Sequence, residues 1–209
     1  MKITFLHTSK THIKRFNKIV RKINKSIEVE HFVNEELLEH ASQTGKVDKN
    51  GFQKELIQIR KNDNKFIVCT CSTYGDLCNE NENVYRIDQP IVEFIVKKYS
   101  RIGIAYTLDS TKEKSKSLIE KFANKRKSIQ IIDINCSHCW IYFEEENVEK
   151  YESEIANQIK QLSDNCEVVF LAQASMEGAK SPLESEDFEV VSSPEFGVRK
   201  YLDMIVKRS

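Results

Sequence analysis

Eight short apolar runs, rich in Val, Ile and Phe, alternate with longer amphipathic segments along the chain. They are Ile3–Leu6, Ile27–Phe32, Phe66–Cys69, Val84–Ile87, Ile102–Tyr106, Ile129–Ile134, Val168–Ala172 and Phe188–Val191. Each reads as continuous rather than alternating, the pattern of strands covered on both faces of a parallel sheet. Helical spacing falls between them: Phe16, Ile19, Val20 and Ile23 in His12–Ile23, Leu56 and Ile59 in Phe52–Arg60, Leu118, Ile119 and Phe122 in Lys112–Phe122, and Ile155, Ile159 and Leu162 in Val148–Leu162. Such alternation requires βαβ units, so the expected class is α/β, doubly wound, with parallel sheets.

The alternation also repeats. ITFLHTSKTHIKRFNKIV and IGIAYTLDSTKEKSKSLI share the order strand, polar elbow, helix, and pair Thr8 with Thr107. VCTCSTYG answers FLAQASMEG with Cys71 opposite Gln173, and VYRIDQPIVEFIV answers FEVVSSPEFGV with Pro90 opposite Pro194. Nearly constant offsets between the landmarks predict two similar α/β lobes, 1–100 and 101–187. The remainder, 188–209, supplies a last strand and a helix, about 194–207, that packs back on the first lobe. Polar elbows then fall at the carboxyl ends of strands, where α/β sheets bind ligands.

Composition narrows the partners. Lys+Arg and Asp+Glu are 32 each, so no basic excess draws the chain to nucleic acid or to an anionic membrane. No run approaches the ~18 apolar residues of a membrane span. The opening MKITFLHTSKTHIKRF lacks the apolar core of a signal peptide, so a cytoplasmic, reducing setting is expected and all six cysteines read as thiols.

FIVCTCSTYGD carries the strongest chemical signal. Cys71 follows a strand and precedes a helix start that Ser72 or Thr73 would cap. Free amides and a positive helix end there favour a thiolate, which can serve as base, nucleophile or, once protonated, acid. The alternative is that Cys69 and Cys71 are small buried apolar groups, as free cysteines usually are. His7, at the end of the first strand, reads equally as a substrate contact or proton donor and as a hydrogen-bonded structural residue; His12 reads as solvated on the first helix. Thr107, Ser110 and Thr111 suit helix capping and anion binding alike. Cys136-Ser-His-Cys139 has zinc-like spacing but no second ligand pair, so no metal is expected, and Cys136–Tyr142 reads as a bulky loop after the sixth strand.

LHT (Leu6–Thr8), TCSTYG (Thr70–Gly75), RIDQPI (Arg86–Ile91), IGIAYTLDST (Ile102–Thr111), LAQASM (Leu171–Met176) and SSPEFGV (Ser192–Val198) stand in one order across nearly the whole chain. In them the chain resembles the aspartate/glutamate/hydantoin racemase superfamily, most of all a branch with a TCSS-type first motif and an LAQASM-type second motif. The resemblance implies two pseudo-symmetric lobes with an active site in the cleft between them, where one cysteine from each lobe works without cofactor on a small carboxylate-bearing molecule. It implies Cys71 as the first cysteine, with His7, Thr8, Ser72, Thr73, Thr107, Ser110, Thr111 and Ser193 as substrate-holding candidates. Relatives commonly dimerise, so it also implies a homodimer. Gln173 stands where the second thiol would be, and an amide cannot carry a proton near neutrality. A one-cysteine isomerase or decarboxylase is therefore expected over a two-base racemase, with a non-catalytic carboxylate or small-anion binder as the competing reading.

Overall fold

The computed structural model describes residues 1–62, 66–123 and 129–208. Residues 63–65 and 124–128 lie outside the description, as does Ser209, the last residue of the expected 188–209 segment.

Strand β1 (Lys2–His7) leads into α1 (Thr11–Ile23), followed by β2 (Glu28–Val33), α2 (Glu36–Thr44), α3 (Lys49–Lys61) and β3 (Ile67–Cys69). A 3-10 turn (Ser72–Tyr74) then runs into α4 (Gly75–Asn79) and β4 (Val84–Arg86). The pattern repeats as α5 (Gln89–Lys98), β5 (Arg101–Tyr106), α6 (Asp109–Ala123), β6 (Gln130–Asn135), a 3-10 turn (Ser137–Cys139), α7 (Trp140–Glu144), α8 (Val148–Leu162) and β7 (Val168–Leu171). A 3-10 segment (Ala174–Leu183), β8 (Glu189–Ser192) and α9 (Ser193–Arg208) follow. Each of the eight expected strands is present, its ends moved by no more than one residue.

Two parallel four-stranded sheets result, ordered β2-β1-β3-β4 and β6-β5-β7-β8. The same strand order twice makes the sequence repeat a repeat of topology. Continuous apolar runs describe β3 and β7, buried along their length, and the interiors of β1 and β5. The flanking strands β2 and β6 are half-covered, which is why Glu28, Glu30 and His31 can occur within β2. Asp48 caps α3 by accepting from the Gly51 amide at 2.9 Å, and Asn147 caps α8 by accepting from the Lys150 amide at 3.2 Å. Gly45 ends α2 at φ 69°, a left-handed conformation that a side chain would strain.

Packing divides the chain at Asp88/Gln89, earlier than the expected boundary at 100. The reason is α5, a helix that the sequence patterns had not marked. Its Ile91, Val92 and Ile95 share a core with Ile102, Ile104, Leu118 and Phe170, so it belongs to the second unit, Gln89–Ser193. The first unit is Met1–Asp88 with the chain from Pro194 onward. There the Tyr201 ring lies 5.3 Å from that of Tyr85, and its hydroxyl donates to the Arg86 carbonyl at 2.6 Å.

Candidate active site

In the first unit the register aligns Leu6 with Cys69, and the Thr70 amide donates to the Leu6 carbonyl at 3.0 Å. Thr8 and Cys71 therefore leave the carboxyl edge of the sheet side by side. Cys71 is extended (φ −104°, ψ 112°) and starts the 3-10 turn, in which the Tyr74 amide donates to the Cys71 carbonyl at 3.2 Å. Tyr74 anchors that turn from below: its hydroxyl donates to the Leu37 carbonyl at 2.7 Å and its ring stacks on Phe52. Cys69 and Cys78 are buried, whereas Cys71 is partly exposed.

Burial pushes the Cys71 thiol up to about 11, and neighbouring Cys69 adds to the rise. The Thr8 hydroxyl and the amides of Thr73 and Tyr74 act in the opposite direction by hydrogen bonding to the sulfur. This corrects the expectation of an acidic thiol. The helix following the turn, α4, has only five residues, too short for its dipole to offset desolvation. At neutral pH Cys71 is a protonated thiol.

His7 is also corrected. It is fully buried, with Nδ1 2.8 Å from Thr70 Oγ1 and Nε2 2.8 Å from His31 Nδ1. Thr70 Oγ1 donates to the Leu6 carbonyl at 3.3 Å, so it accepts from His7 Nδ1–H, and His7 Nε2 accepts from His31 Nδ1–H. With both nitrogens occupied, His7 offers a substrate nothing. Burial, with His12 and His31 nearby, depresses its pKa to about 2 and keeps it neutral. His12 is buried in α1 rather than solvated, at 7% exposure, because the rings of His7 and Phe16 pack against it.

Beneath the elbow lies a charge pair. Arg86, at the end of β4 and 1% exposed, donates from Nε and Nη2 to the two carboxylate oxygens of fully buried Asp88, at 2.6 and 2.8 Å. A Cβ at position 75 would collide with the Arg86 guanidinium, so glycine there lets the charge seat directly under the turn that carries Cys71. Burial alone would lower the arginine's pKa; Asp88 outweighs it and holds the group charged. Ser72 and Thr73 are buried within the turn, and Thr8 is 4% exposed beside it.

The second unit repeats the geometry with other chemistry. Leu171 pairs with Ala105, placing Thr107 beside Gln173 just beyond the strands. Gln173 Oε1 accepts from the Thr107 amide at 2.7 Å and from the Thr107 hydroxyl at 2.9 Å. The Tyr151 hydroxyl lies 3.0 Å from Ser175 Oγ and 3.5 Å from Thr107 Oγ1. Thr107, expected to hold substrate, spends both donors on Gln173. Ser193 follows Ser192, the register partner of Leu171; its hydroxyl is buried and makes no hydrogen bond among the described residues. Ser110 and Thr111 sit in the first turn of α6, Thr111 buried and Ser110 half-exposed. Cys136 and Cys139 are buried around a 3-10 turn, with Cys139 Sγ 3.4 Å from His138 Nε2. Among the described residues no group of three or more His, Cys, Asp or Glu is arranged to hold a metal ion, and no helix is long and apolar enough to cross a membrane.

No family model and no curated protein matches the chain. Solved structures do. Glutamate racemase from Francisella tularensis, determined with D-glutamate, superposes with TM-score 0.76 at 15% identity, over 99% of this chain and 81% of that one. Aspartate racemase of Picrophilus torridus gives 0.73 at 11% identity over 97% and 93%. Allantoin racemase from Klebsiella pneumoniae gives 0.66 at 12% identity over 100% and 89%. The fold is that of these glutamate, aspartate and allantoin racemases.

Within this racemase fold, three contributors lay outside the sequence reading. The Arg86–Asp88 pair was legible in principle: residues i and i+2 of an extended segment project to the same side. His31 reaches His7 only through the β1–β2 register, in which His31 pairs with Phe5. Tyr151 comes from the middle of α8, where its buried spacing resembles ordinary core.

Proposed function

We propose that the protein is a cofactor-independent isomerase- or lyase-type enzyme that acts at the carbon next to a carboxylate of a small acid, with Cys71 as its single proton carrier. The observation that carries this reading is the state of Cys71. It is a partly exposed thiol at the carboxyl edge of a racemase-fold sheet, protonated at neutral pH. Its sulfur already receives hydrogen bonds from Thr8, Thr73 and Tyr74, which would stabilise the thiolate left behind after proton transfer. A thiol with a pKa near 11 is poised to give a proton to an enolate or enediolate rather than to attack as a nucleophile. Gln173, the counterpart of Cys71 in the repeat, is an amide that carries no titratable proton, so Cys71 is the one proton carrier of the pair. Ser72, Thr73, Ser110, Thr111 and Ser193 remain the substrate-holding candidates, now without His7 and with Thr107 acting through Gln173.

Solvent deuterium exchange at the α-carbon of small carboxylic acids tests the reading. The wild type should exchange label without inverting its substrate, and Cys71→Ala should lower the rate by about 10²-fold or more. The exchange rate should rise about tenfold per pH unit from neutral pH toward 11, because the minor thiolate first takes the α-proton and the thiol, once exchanged with solvent, returns deuterium. A rate independent of pH over that range would mean that a group other than Cys71 takes the α-proton. Binding of acids with no exchange would leave a non-catalytic carboxylate binder on the same fold.

A further inference from the structure

Gln173 differs from a glutamine on a surface in that its orientation is fixed by chemistry as well as by packing. A backbone N–H can only donate, so the atom 2.7 Å from the Thr107 amide must be the side-chain carbonyl oxygen, Oε1. The Thr107 hydroxyl, 2.9 Å away, donates to the same oxygen. Flipping the amide would set its NH2 against the Thr107 N–H, so the two bonds lock it. The Tyr151 hydroxyl, 3.5 Å from Thr107 Oγ1 and 3.0 Å from Ser175, fixes the threonine in turn. What is left of Gln173 is its NH2, which makes no hydrogen bond among the described residues, on a side chain that keeps 9% of its surface exposed. One residue before Gln173, Ala172 continues the strand whose partner leads into Ser193, where a second hydroxyl is buried without a partner.

We infer that Gln173 is a fixed hydrogen-bond donor that selects a ligand oxygen, carboxylate or carbonyl, at the second unit's elbow and discriminates against an ammonium there. A donor amide with its oxygen already committed has nothing to offer a cationic group and leaves its own N–H groups opposed to it. The ligand class is therefore a dicarboxylic or oxo acid rather than an α-amino acid that turns its ammonium to this side. The inference rests on the proposed function only for the premise that the ligand is a small acid.

Glu is the matching probe. In Gln173→Glu one carboxylate oxygen still accepts both Thr107 bonds, while an acceptor replaces the NH2 and nothing else changes in shape. Side-chain amide NMR on uniformly 15N-labelled protein gives a local readout, because the pair of signals lost in Gln173→Glu assigns Gln173 in the wild type. Malonate is compared with β-alanine, which exchanges one carboxylate for an ammonium. Malonate should move the Gln173 NH2 signals downfield, β-alanine should bind about tenfold more weakly, and Gln173→Glu should weaken malonate by about tenfold or more while narrowing the preference. The inference is overturned if wild type does not bind malonate, if the Gln173 signals stay still at saturation, or if Gln173→Glu changes malonate affinity by less than about twofold. Should Gln173→Glu fail to fold and leave those signals unassigned, the wild-type affinities for the two acids decide, and equal affinity for malonate and β-alanine overturns the inference. Failure of the catalytic reading shows separately: exchange chemistry would be absent while Gln173-dependent malonate binding persisted.

Discussion

The two elbows are built on one plan and diverge in what the plan holds. In each unit a threonine just past the first strand donates to the residue just past the third: Thr8 to the Cys71 sulfur, Thr107 to the Gln173 oxygen. In the first unit the recipient titrates; in the second it cannot. The foundations differ too. Gly75 sits over the buried Arg86–Asp88 pair, whereas the repeat places Glu177 opposite Gly75 and Ser192 opposite Asp88, joined by one hydrogen bond of 3.4 Å. The repeated backbone thus carries the donor geometry twice and a titratable recipient once. The first elbow is rigid and charged beneath, suited to fixing a reactive atom. The second has beneath it only a long hydrogen bond from Ser192 to the Glu177 carboxylate, and its own amide is suited to orienting a dipole.

Removing the foundations should break the comparison most sharply. Asp88→Asn strips buried Arg86 of its bidentate counter-charge, leaving half-exposed Asp76 at 3.4 Å as its remaining carboxylate partner, and should cost about 3 kcal/mol in chemical denaturation. Arg86→Met with Asp88→Leu, which removes both charges, should recover much of that loss. Ser192→Ala in the second unit deletes one long hydrogen bond and should cost under about 1 kcal/mol. Similar costs for Asp88→Asn and Ser192→Ala would mean that the charge pair contributes nothing special to the first elbow.

Acid should separate the units next. His7 and His12 are buried neutral, with pKa values lowered to about 2 and about 3. Unfolding releases them to their ordinary range near 6.5, so the unfolded chain binds the extra protons. Stability is then fully present above about pH 6.5 and is lost as pH falls toward 3, at about 1.4 kcal/mol per pH unit for each histidine. The second unit contains one histidine, His138, and it is exposed. Hydrogen exchange at stepped pH should show first-unit amides losing protection earlier, and His12→Phe should reduce the slope by about one proton's worth. Equal acid sensitivity in both units would contradict the role assigned to the buried histidines.

These contrasts also show what a sequence can reveal. Periodicity located every strand because central parallel strands need apolar groups on both faces, as in Val68 and Val169, buried in their sheets. The duplication was readable because Thr8/Thr107 and Cys71/Gln173 sit at topologically required elbows. Helix α5 was missed because its apolar residues run together as IVEFIV, and only the core of the second unit shows which face is inward. Protonation states were the least legible. Local pattern suggested an acidic Cys71 and a solvated His12, yet both are set by desolvation, which depends on how other elements pack around them, as His7 of β1 does against His12.

The smallest effect isolates the shared threonine. Thr8→Val removes the side-chain hydroxyl that donates to Cys71 and leaves the amides of Thr73 and Tyr74 in place. A hydrogen bond to a charged acceptor contributes about 1.5 kcal/mol or more, so the thiol pKa should rise by about one unit and alkylation at fixed pH slow by about tenfold. Thr107→Val should leave Cys71 alkylation unchanged, and the Gln173 oxygen would still accept from the Thr107 amide. The paired experiment therefore asks whether one donor geometry serves two purposes, proton affinity in the first unit and amide orientation in the second. If Thr8→Val does not shift the pH profile of Cys71 alkylation, the hydroxyl is a packing group there, and the parallel between the elbows is one of backbone alone.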